Sequence, residues 1–495
     1  MCVVNRTRPK KSYKGVANLA VLVAMIGLLL APFVNSVPFA LAASFTPGNL
    51  VVVRLGDGSA ALSSAATAVF LDEYNPAGIA AQTPAQTILL PTSVNGSNAR
   101  LTNSGSAGSE GALSLSADGK YLSLGGYDAA PGTASVVGTA SASTNRIVGR
   151  VDASGTVDTS TRISDGYSAN NIRGAVTNDG TGFWTAGTAS GTAGGVRFVP
   201  FGNTAPTTTF ISPSPTNVRV PNIFNGQLYV SSGSGANIGV NSVGSGLPTT
   251  AGQTTSLLPG LPGTGNPYAY VLLDRDATVA GPDTLYVADQ TSANGLLKYS
   301  FDGSTWTARG NIAGILTGLT GVVSGGNATL YATSGTGAGN TLVSFTDSAA
   351  FNSTISASSF TTLATAGTNT VFRGVAFAPS NGAVTTAPTI TTNPASQSIS
   401  TGNTASLSVA ASGTAPLSYQ WYQGNSGDTT NPISGATGSS FTTPALSATT
   451  SYWARVSNSA GTADSTTATI TVTIPPPACT GPFTHTYEIQ GTTDI

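Results

Sequence analysis

A short motif that recurs through residues 45–380 constrains this chain more than any other feature. It joins a turn built on Gly, Asn or Asp to an aromatic or aliphatic strand. It reads DGKYLSLGG at 118–126, DGTGFWTAG at 179–187, NGQLYVSSG at 225–233, PDTLYVADQ at 282–290 and GNATLYATS at 326–334. Each copy is preceded by another apolar strand: GALSLSA (111–117), RGAVTN (173–178), RVPNIF (219–224), AYVLLD (269–274) and LTGVVS (319–324). Each is followed by two more strand-like runs, such as LLKYSF (296–301) and TWTARG (305–310) on either side of the turn Asp302-Gly303. The small turn residues tolerate tight backbone reversals, and the β-branched and aromatic residues suit a pleated surface.

The fourth strands are predicted to end near 163, 211, 258, 312 and 363, a repeat of about fifty residues. Four short strands per repeat at that spacing is the pattern of β-propeller blades. An earlier unit ends near Pro91, so its successor is longer, and the extra length falls in the loop 129–145. NLVVVRL (49–55), AVFLDEY (68–74) and TILLP (87–91) supply only three strands, while VFRGVAFAP (371–379) supplies one that matches the first strand of the other units. Pairing 371–379 beside 49–55 completes one blade from both ends, closes the ring and removes free sheet edges. The expected fold class is all-β: a six-bladed β-propeller over 43–383, or a seven-bladed one if the long unit hides a further sheet, followed by a β-sandwich.

Composition narrows the chemistry. Charged residues are 8% of the chain, against ~25% in an ordinary soluble domain. The single His is His485 and the two cysteines are Cys2 and Cys479. That excludes His-based metal sites, Ser-His-Asp triads, Cys zinc sites and disulfide frameworks.

Residues 1–42 read as a secretory signal peptide. Arg6, Arg8, Lys10, Lys11 and Lys14 precede the apolar run 16–31, and Ala40-Leu41-Ala42 supplies a small-residue cleavage site. The alternative is an uncleaved membrane anchor; Pro32 and the cleavage site favour removal. Taking those five basic residues from the 19 leaves 14 against 20 acidic ones, a net charge of −6. So acidic and charge-poor a surface argues against binding nucleic acid. The expected location is extracellular or at the cell surface.

From Pro388 the pattern changes to alternating strands of four to seven residues between Gly, Asn and Pro turns. Trp421 sits mid-strand in LSYQW, and Tyr452 lies in SYWARVSN ahead of Ser459-Ala460-Gly461. Residues 384–474 thus resemble an immunoglobulin domain, with Trp421 at the core-Trp position and Tyr452 at the tyrosine corner. The resemblance places Val409 and Ala454 where the family carries its paired cysteines, so the sandwich lacks that disulfide. Pro475-Pro476-Pro477 forms a stiff linker. The last residues, CTGPFTHTYEIQGTTDI, resemble the opening of a β-domain that precedes the catalytic domain in large secreted bacterial nucleases of the endonuclease/exonuclease/phosphatase family. Region 45–380 resembles the propeller-like amino-terminal part of secreted bacterial surface proteins, a resemblance that implies no reaction.

Four predicted first strands carry Arg near their start: Arg100, Arg173, Arg219 and Arg373. Three follow an Asn in the pattern N-x-R, in SNARL, NNIRG and TNVRV. Arg presents a planar fork suited to carboxylate, phosphate or sulfate, so a ring of them at one channel mouth reads as an anion site. The competing reading is structural: each Arg pairs with a neighbouring Asp or carbonyl and fixes a junction between units. Ser300–Trp306 comes close to the S-x-D-x-G-x-T-W turn box of sialidase-type propellers, and such boxes are structural turns. Asp72-Glu73 and Asp274-Arg275-Asp276 offer paired carboxylates, but adjacent acids in a strand face opposite ways. The expected function is therefore a non-catalytic binding or structural protein without cofactor or metal. It is expected to be monomeric, with an extracellular glycan or protein as partner. The alternative is the non-catalytic front of a secreted hydrolase, a nuclease above all.

Overall fold

The computed structural model describes residues 43–475, apart from 79–80, 190, 192–193, 277–278, 280, 325, 357–358, 382–387, 414–416 and 459–460. The signal-peptide segment 1–42, and the tail from 476 with Cys479, His485 and YEIQG, lie outside the described residues. The described residues contain only β-strands and short 3-10 turns, and the chain divides into two compact units at Ala378/Pro379.

The first unit is a series of antiparallel sheets whose strands run in chain order. Strands β1 (Leu50–Leu55), β2 (Ala66–Tyr74) and β3 (Gln86–Leu89) are followed by β4 (Thr102–Ser104), β5 (Leu113–Leu115), β6 (Tyr121–Tyr127), β7 (Arg146–Asp152) and β8 (Val157–Ile163). Four sheets of four strands come next. They are β9 (Ile172–Thr177), β10 (Gly182–Gly187), β11 (Gly195–Pro200) and β12 (Thr209–Ser212); then β13 (Val218–Phe224), β14 (Gln227–Ser232), β15 (Gly239–Val243) and β16 (Thr255–Leu257). The third set is β17 (Pro267–Leu273), β18 (Thr284–Asp289), β19 (Leu296–Phe301) and β20 (Trp306–Ile312); the fourth is β21 (Leu316–Ser324), β22 (Asn327–Ser334), β23 (Thr341–Asp347) and β24 (Thr361–Thr365). Strand β25 (Val371–Phe377) pairs antiparallel with β1, Leu50 opposite Phe377 and Leu55 opposite Val371. The surplus strand thus fills the gap left at the amino-terminal end.

Burial falls from the first strand of a sheet to the last. All seven residues of β17 and all six of β18 are buried, whereas β20 is mostly exposed beyond Trp306. The reason lies in how the sheets meet. The first strands touch in cyclic order, β5 with β9, β9 with β13, β13 with β17, β17 with β21, β21 with β25, and β25 with β5 again. Backbones approach closely there. Gly374 N donates to Gly111 O at 2.9 Å, and a Cβ on Gly374 would lie 2.3 Å from Leu113 N. Only glycine fits at such a contact.

One departure from the expected pattern concerns the first two repeats, which are joined into a nine-stranded sheet. Strand β2 is long enough to serve two partners: Ala66–Ala68 pair with β4, and Phe70–Glu73 pair with β3. The loop 129–145 carries a single 3-10 turn at Val136–Gly138. Beneath it Arg146, fully buried, donates to the carbonyls of Val137, Thr139, Thr144, Tyr167 and Asn170. One guanidinium therefore satisfies loop carbonyls that would otherwise be orphaned.

The second unit is a β-sandwich. Its larger sheet holds β27 (Gln397–Ser400), β30 (Ser418–Gln423), β32 (Thr450–Asn458), β33 (Gly461–Asp464) and β34 (Ala468–Thr473). Smaller pairings join β26 (Thr389–Thr392) to β29 (Ala410–Ser412) and β28 (Ser406–Ser408) to β31 (Ser440–Thr442). Trp421 and Tyr452 share one core with Val409 and Ala454, the two positions read as replaced cysteines. Trp421 has no exposed surface, and its Nε1 donates to Gly438 O at 3.0 Å. Removing that side chain deletes both the packing and the tether. Trp421→Ala is expected to cost about 3–5 kcal/mol, comparable with the whole stability of a small module. Residues 385–476 expressed with this change should show no cooperative thermal transition; a melting temperature equal to the parent's would remove Trp421 from the core.

Candidate functional site

The inner strands bring one residue each to the same level of the ring. Arg173 and Arg219 are second in β9 and β13, Tyr268 and Thr317 hold the same place in β17 and β21, Arg373 is third in β25, and Glu110 precedes β5. Contacts between neighbouring strands fix that common level. Ala112 N donates to Arg173 O, and the Cα of Gly174 and of Gly318 face Arg219 O and Arg373 O, so closely that a Cβ would lie 3.4 and 2.5 Å away.

All three arginines are at least nine-tenths buried, at 9%, 9% and 2% exposure in chain order. Arg173 Nη1 donates to Asn217 Oδ1 and, at 3.4 Å, to Val218 O; Asn217 Nδ2 in turn donates to Gly233 O. Arg219 Nη1 donates to Pro267 O at 2.6 Å, and its guanidinium lies 4.5 Å from the centre of the Tyr268 ring. Arg373 donates from Nη1 to Thr336 O at 3.1 Å and from Nη2 to Gly105 O at 3.4 Å. The bonds of Arg173 and Arg219 and the Arg373–Thr336 bond run between adjacent sheets, so each arginine acts as a junction clip; Gly105 follows β4 in the same sheet as β25. In none of the three does Nε find an acceptor.

Their partners are all neutral oxygens. The carboxyl beside them, Glu110, is held elsewhere. Its Oε1 accepts from Tyr127 Oη and Asn171 Nδ2, both at 2.5 Å, and its Oε2 from Ser104 N at 2.8 Å. Burial pushes the Glu110 carboxyl above its ordinary value despite those donors. Burial likewise pulls the three guanidinium groups down, while Tyr268, and for Arg173 and Arg373 also the Glu110 carboxyl, draws them back up; for Arg219 the charge of Arg173 adds to the downward pull. Arginine stays charged even so.

A cavity runs along the inner strands between Glu110, Tyr268, Tyr270, Thr317, Leu319 and Arg373. Its volume is about 30 Å³, room for one or two water-sized species. The buried Tyr270 hydroxyl has no hydrogen-bond partner.

Arg100 does not join this ring. It precedes β4, the strand that bridges the first two repeats, and pairs with Asp128 at 2.8 Å with a third of its side chain exposed. The inner strand of that repeat is β5, which begins 13 residues later at Leu113. The pattern N-x-R therefore marks inner strands at Arg173 and Arg219 and an outer connection at Arg100. Conversely, Tyr268, Thr317 and Glu110 belong to the ring without carrying the motif. Aligning the first strand of each repeat, PYAY beside IRGA and VRVP, points to the Tyr268 position.

Of the acidic pairs, Asp72 and Glu73 have structural partners. Asp72 accepts from Arg54 Nε at 2.6 Å, whereas Glu73 accepts from Thr46 N, Asn49 Nδ2 and Gln86 Nε2. The backbone N–H groups of Arg275 and Asp276 both donate to Asp283 Oδ2. Trp306 packs against Phe301 with the rings tilted, 5.1 Å between centres, after an Asp302 turn closed by Ser304 and Thr305. Among the described residues, no three His, Cys, Asp or Glu side chains cluster as a metal site would need.

Residues 385–476 match the family described as "Ig-like domain CHU_C associated". The carboxy-terminal module is an Ig-like domain. Its core of Trp421, Tyr452, Val409 and Ala454 accords with that match. No curated protein matches the chain. Solved structures similar to it include a chimeric titin Z1Z2 carrying a decorin peptide, at 24% identity over 18% of this chain and 97% of that one, TM-score 0.16. The Ig1-2 module of the Drosophila receptor protein tyrosine phosphatase DLAR is 14% identical over 38% of this chain and 89% of that one, TM-score 0.16. A prolyl endopeptidase is 12% identical over 81% of this chain and 54% of that one, TM-score 0.31. Scores this low carry no argument about the first unit or its activity. Among the described residues no helix is long and apolar enough to cross a membrane.

Proposed function

We propose that residues 43–383 form a six-bladed β-propeller clasped by β25 against β1, and that the chain is an extracellular, non-catalytic binding or structural protein with an Ig-like spacer. The cyclic order of inner-strand contacts supports the ring. What favours binding over catalysis is the chemistry of its centre: three arginines, which cannot act as bases at neutral pH, and one carboxyl whose oxygens are already held by Tyr127, Asn171 and Ser104. Secretion follows from the signal-peptide pattern of residues 1–42, and the net acidic mature surface sets nucleic acid aside as partner. The Ig-like module fits a spacer or adhesion element.

The test is an assay of the purified mature chain against DNA with Mg²⁺ or Ca²⁺, a phosphate monoester and a glycan panel. No products are expected. Turnover that tracks the protein through successive purification steps would overturn the non-catalytic reading.

A further inference from the structure

One position of the repeat is covered in three sheets and open in a fourth. The second strands carry an aromatic residue directly after Phe or Leu: Trp184 in β10, Tyr229 in β14, Tyr286 in β18 and Tyr331 in β22. Each faces the next sheet along the chain. Over Trp184 lies that sheet's connection Gly244–Thr254. Leu247 packs against the core around Trp184, and Trp184 Nε1 donates to Pro248 O at 2.6 Å. Over Tyr286 lies the connection that follows β23. Here Tyr286 Oη donates to Asp347 Oδ2 at 2.6 Å, and Lys298 Nζ to Ala350 O at 2.9 Å. Tyr331 is covered by Phe377, edge to face at 5.8 Å, and is buried.

Tyr229 has no such cover. The corresponding connection, between β19 and β20, is cut to the turn Asp302–Thr305, four residues against eleven in Gly244–Thr254. So short a turn closes on its own Asp302 carboxylate and has no residues to lay over the tyrosine. What remains is a cleft of about 240 Å³ between Tyr229 and Leu258, Pro259, Leu272, Pro282, Phe301 and Trp306. Its walls are braced apart: Trp306 N donates to Pro259 O at 2.8 Å, and the Trp306 ring rests against Phe301. No charged residue lines the cleft, and the Tyr229 hydroxyl forms no hydrogen bond among the described residues.

We propose that this cleft docks a short apolar, proline-containing segment of a partner protein, in the way that Leu247-Pro248 covers Trp184. This rests on the binding reading above and names the partner's chemistry. A backbone carbonyl of the segment accepts from Tyr229 Oη, as Pro248 O accepts from Trp184, and an apolar side chain fills the space against Leu272 and Trp306. A carboxylate, the group that serves Tyr286, does not suit this cleft. Asp347 is matched by Arg275 and Lys298, whereas a charge set against apolar walls alone is unfavourable. Proline suits it because it offers a carbonyl without an N–H that those walls would leave unmet.

The probe is acetyl-Ser-Gly-Leu-Pro-Thr-Thr-amide, the sequence of residues 245–250, titrated into the full mature chain labelled with ¹⁵N. The chain has four Trp, hence four indole N–H resonances, and Trp306→Phe identifies the one from the cleft wall. A saturable shift of that resonance is expected. Tyr229→Phe keeps the ring and removes a hydroxyl that bonds to nothing in the fold, so it should melt like the parent. It should bind the peptide about threefold to tenfold more weakly, the worth of one hydrogen bond. A peptide with Asp in place of Leu should bind about tenfold more weakly or less, since its charge must enter apolar walls. A folded chain in which the sequence of Gly244–Thr254 replaces Asp302–Thr305 should not bind at all. The site is overturned if the peptide gives no saturable shift or shifts another indole instead. It is equally overturned if Tyr229→Phe binds like the parent, if the Asp peptide binds like the Leu peptide, or if the folded loop replacement still binds. Turnover in the assays above would count against the non-catalytic reading alone, and a silent titration would leave that reading in place.

Discussion

Deleting Val371–Phe377 from the mature chain is expected to abolish the cooperative unfolding transition of the first unit. The strand is buried along almost its whole length, with Val371, Phe372 and Val375 at 2% exposure or less. Losing three such side chains forfeits about 1.5–3 kcal/mol each, a sum of the same order as the 5–15 kcal/mol that holds a typical domain together. Packing is only part of the effect. Strand β1, whose Leu50, Val52 and Leu55 lie opposite Phe377, Val375 and Val371, becomes an unpaired edge of the kind that aggregates. The contacts of β25 with β5 and β21 also vanish, and so does the Gly374 N to Gly111 O bond. Differential scanning calorimetry checks the result: the large transition of the first unit should disappear. A transition at the parental midpoint would show that closure by β25 contributes little.

That clasp was legible in the sequence because a surplus strand at one end and a missing strand at the other are both counting facts. The inner strands were legible for the same reason, since the repeat fixes which strand comes first in each unit. Arg173, Arg219 and Arg373 followed from their place in those strands. Arg100 misled because its N-x-R motif opens β4, a strand that exists only because β2 is long enough to pair twice. No repeat announces a strand that occurs once. The polar clips beneath the surface were hidden for a different reason. Arg146 reaches carbonyls up to 24 residues away, and Arg275 reaches Asp347 across 72. Periodicity tells which residues face inward but not which loop from the next sheet will lie above them. In the Ig-like module Trp421 and Tyr452 stood out by the resemblance of their segments to an immunoglobulin domain. Trp453, fully buried and stacked on Tyr422 at 4.6 Å, sits on the opposite side of β32 from Tyr452, where the family pattern has no fixed residue to match.

Asp347→Ala is expected to destabilise the first unit by about 3–5 kcal/mol, the usual result of removing one partner from a buried ion pair. Asp347 and Lys298 have no exposed side-chain surface and Arg275 has 1%. The carboxylate accepts from Lys298 Nζ at 2.7 Å, Tyr286 Oη at 2.6 Å and Arg275 Nη1 at 3.2 Å, joining strands β18 and β19 to the end of β23. One anion therefore serves two cations, and its loss leaves both buried without a counter-charge. Burial tends to raise the Asp347 carboxyl, but the bonds from Lys298, Tyr286 and Ser356 N outweigh it and hold the group below its ordinary 3.8. A carboxyl depressed on folding contributes stability that is fully present above its unfolded value and is lost as pH falls through the folded one. The parent should thus lose stability below pH 3.8 more steeply than Asp347→Ala, and the two should differ most near neutrality. Lys298→Met in the same chain removes one uncompensated cation and should recover part of the loss, a coupling that a double-mutant cycle measures directly. Equal denaturant midpoints for Asp347→Ala and parent at pH 7 would mean that water or a rearranged loop replaces the carboxylate at no cost, and that the junction between these two sheets is held by its apolar contacts alone.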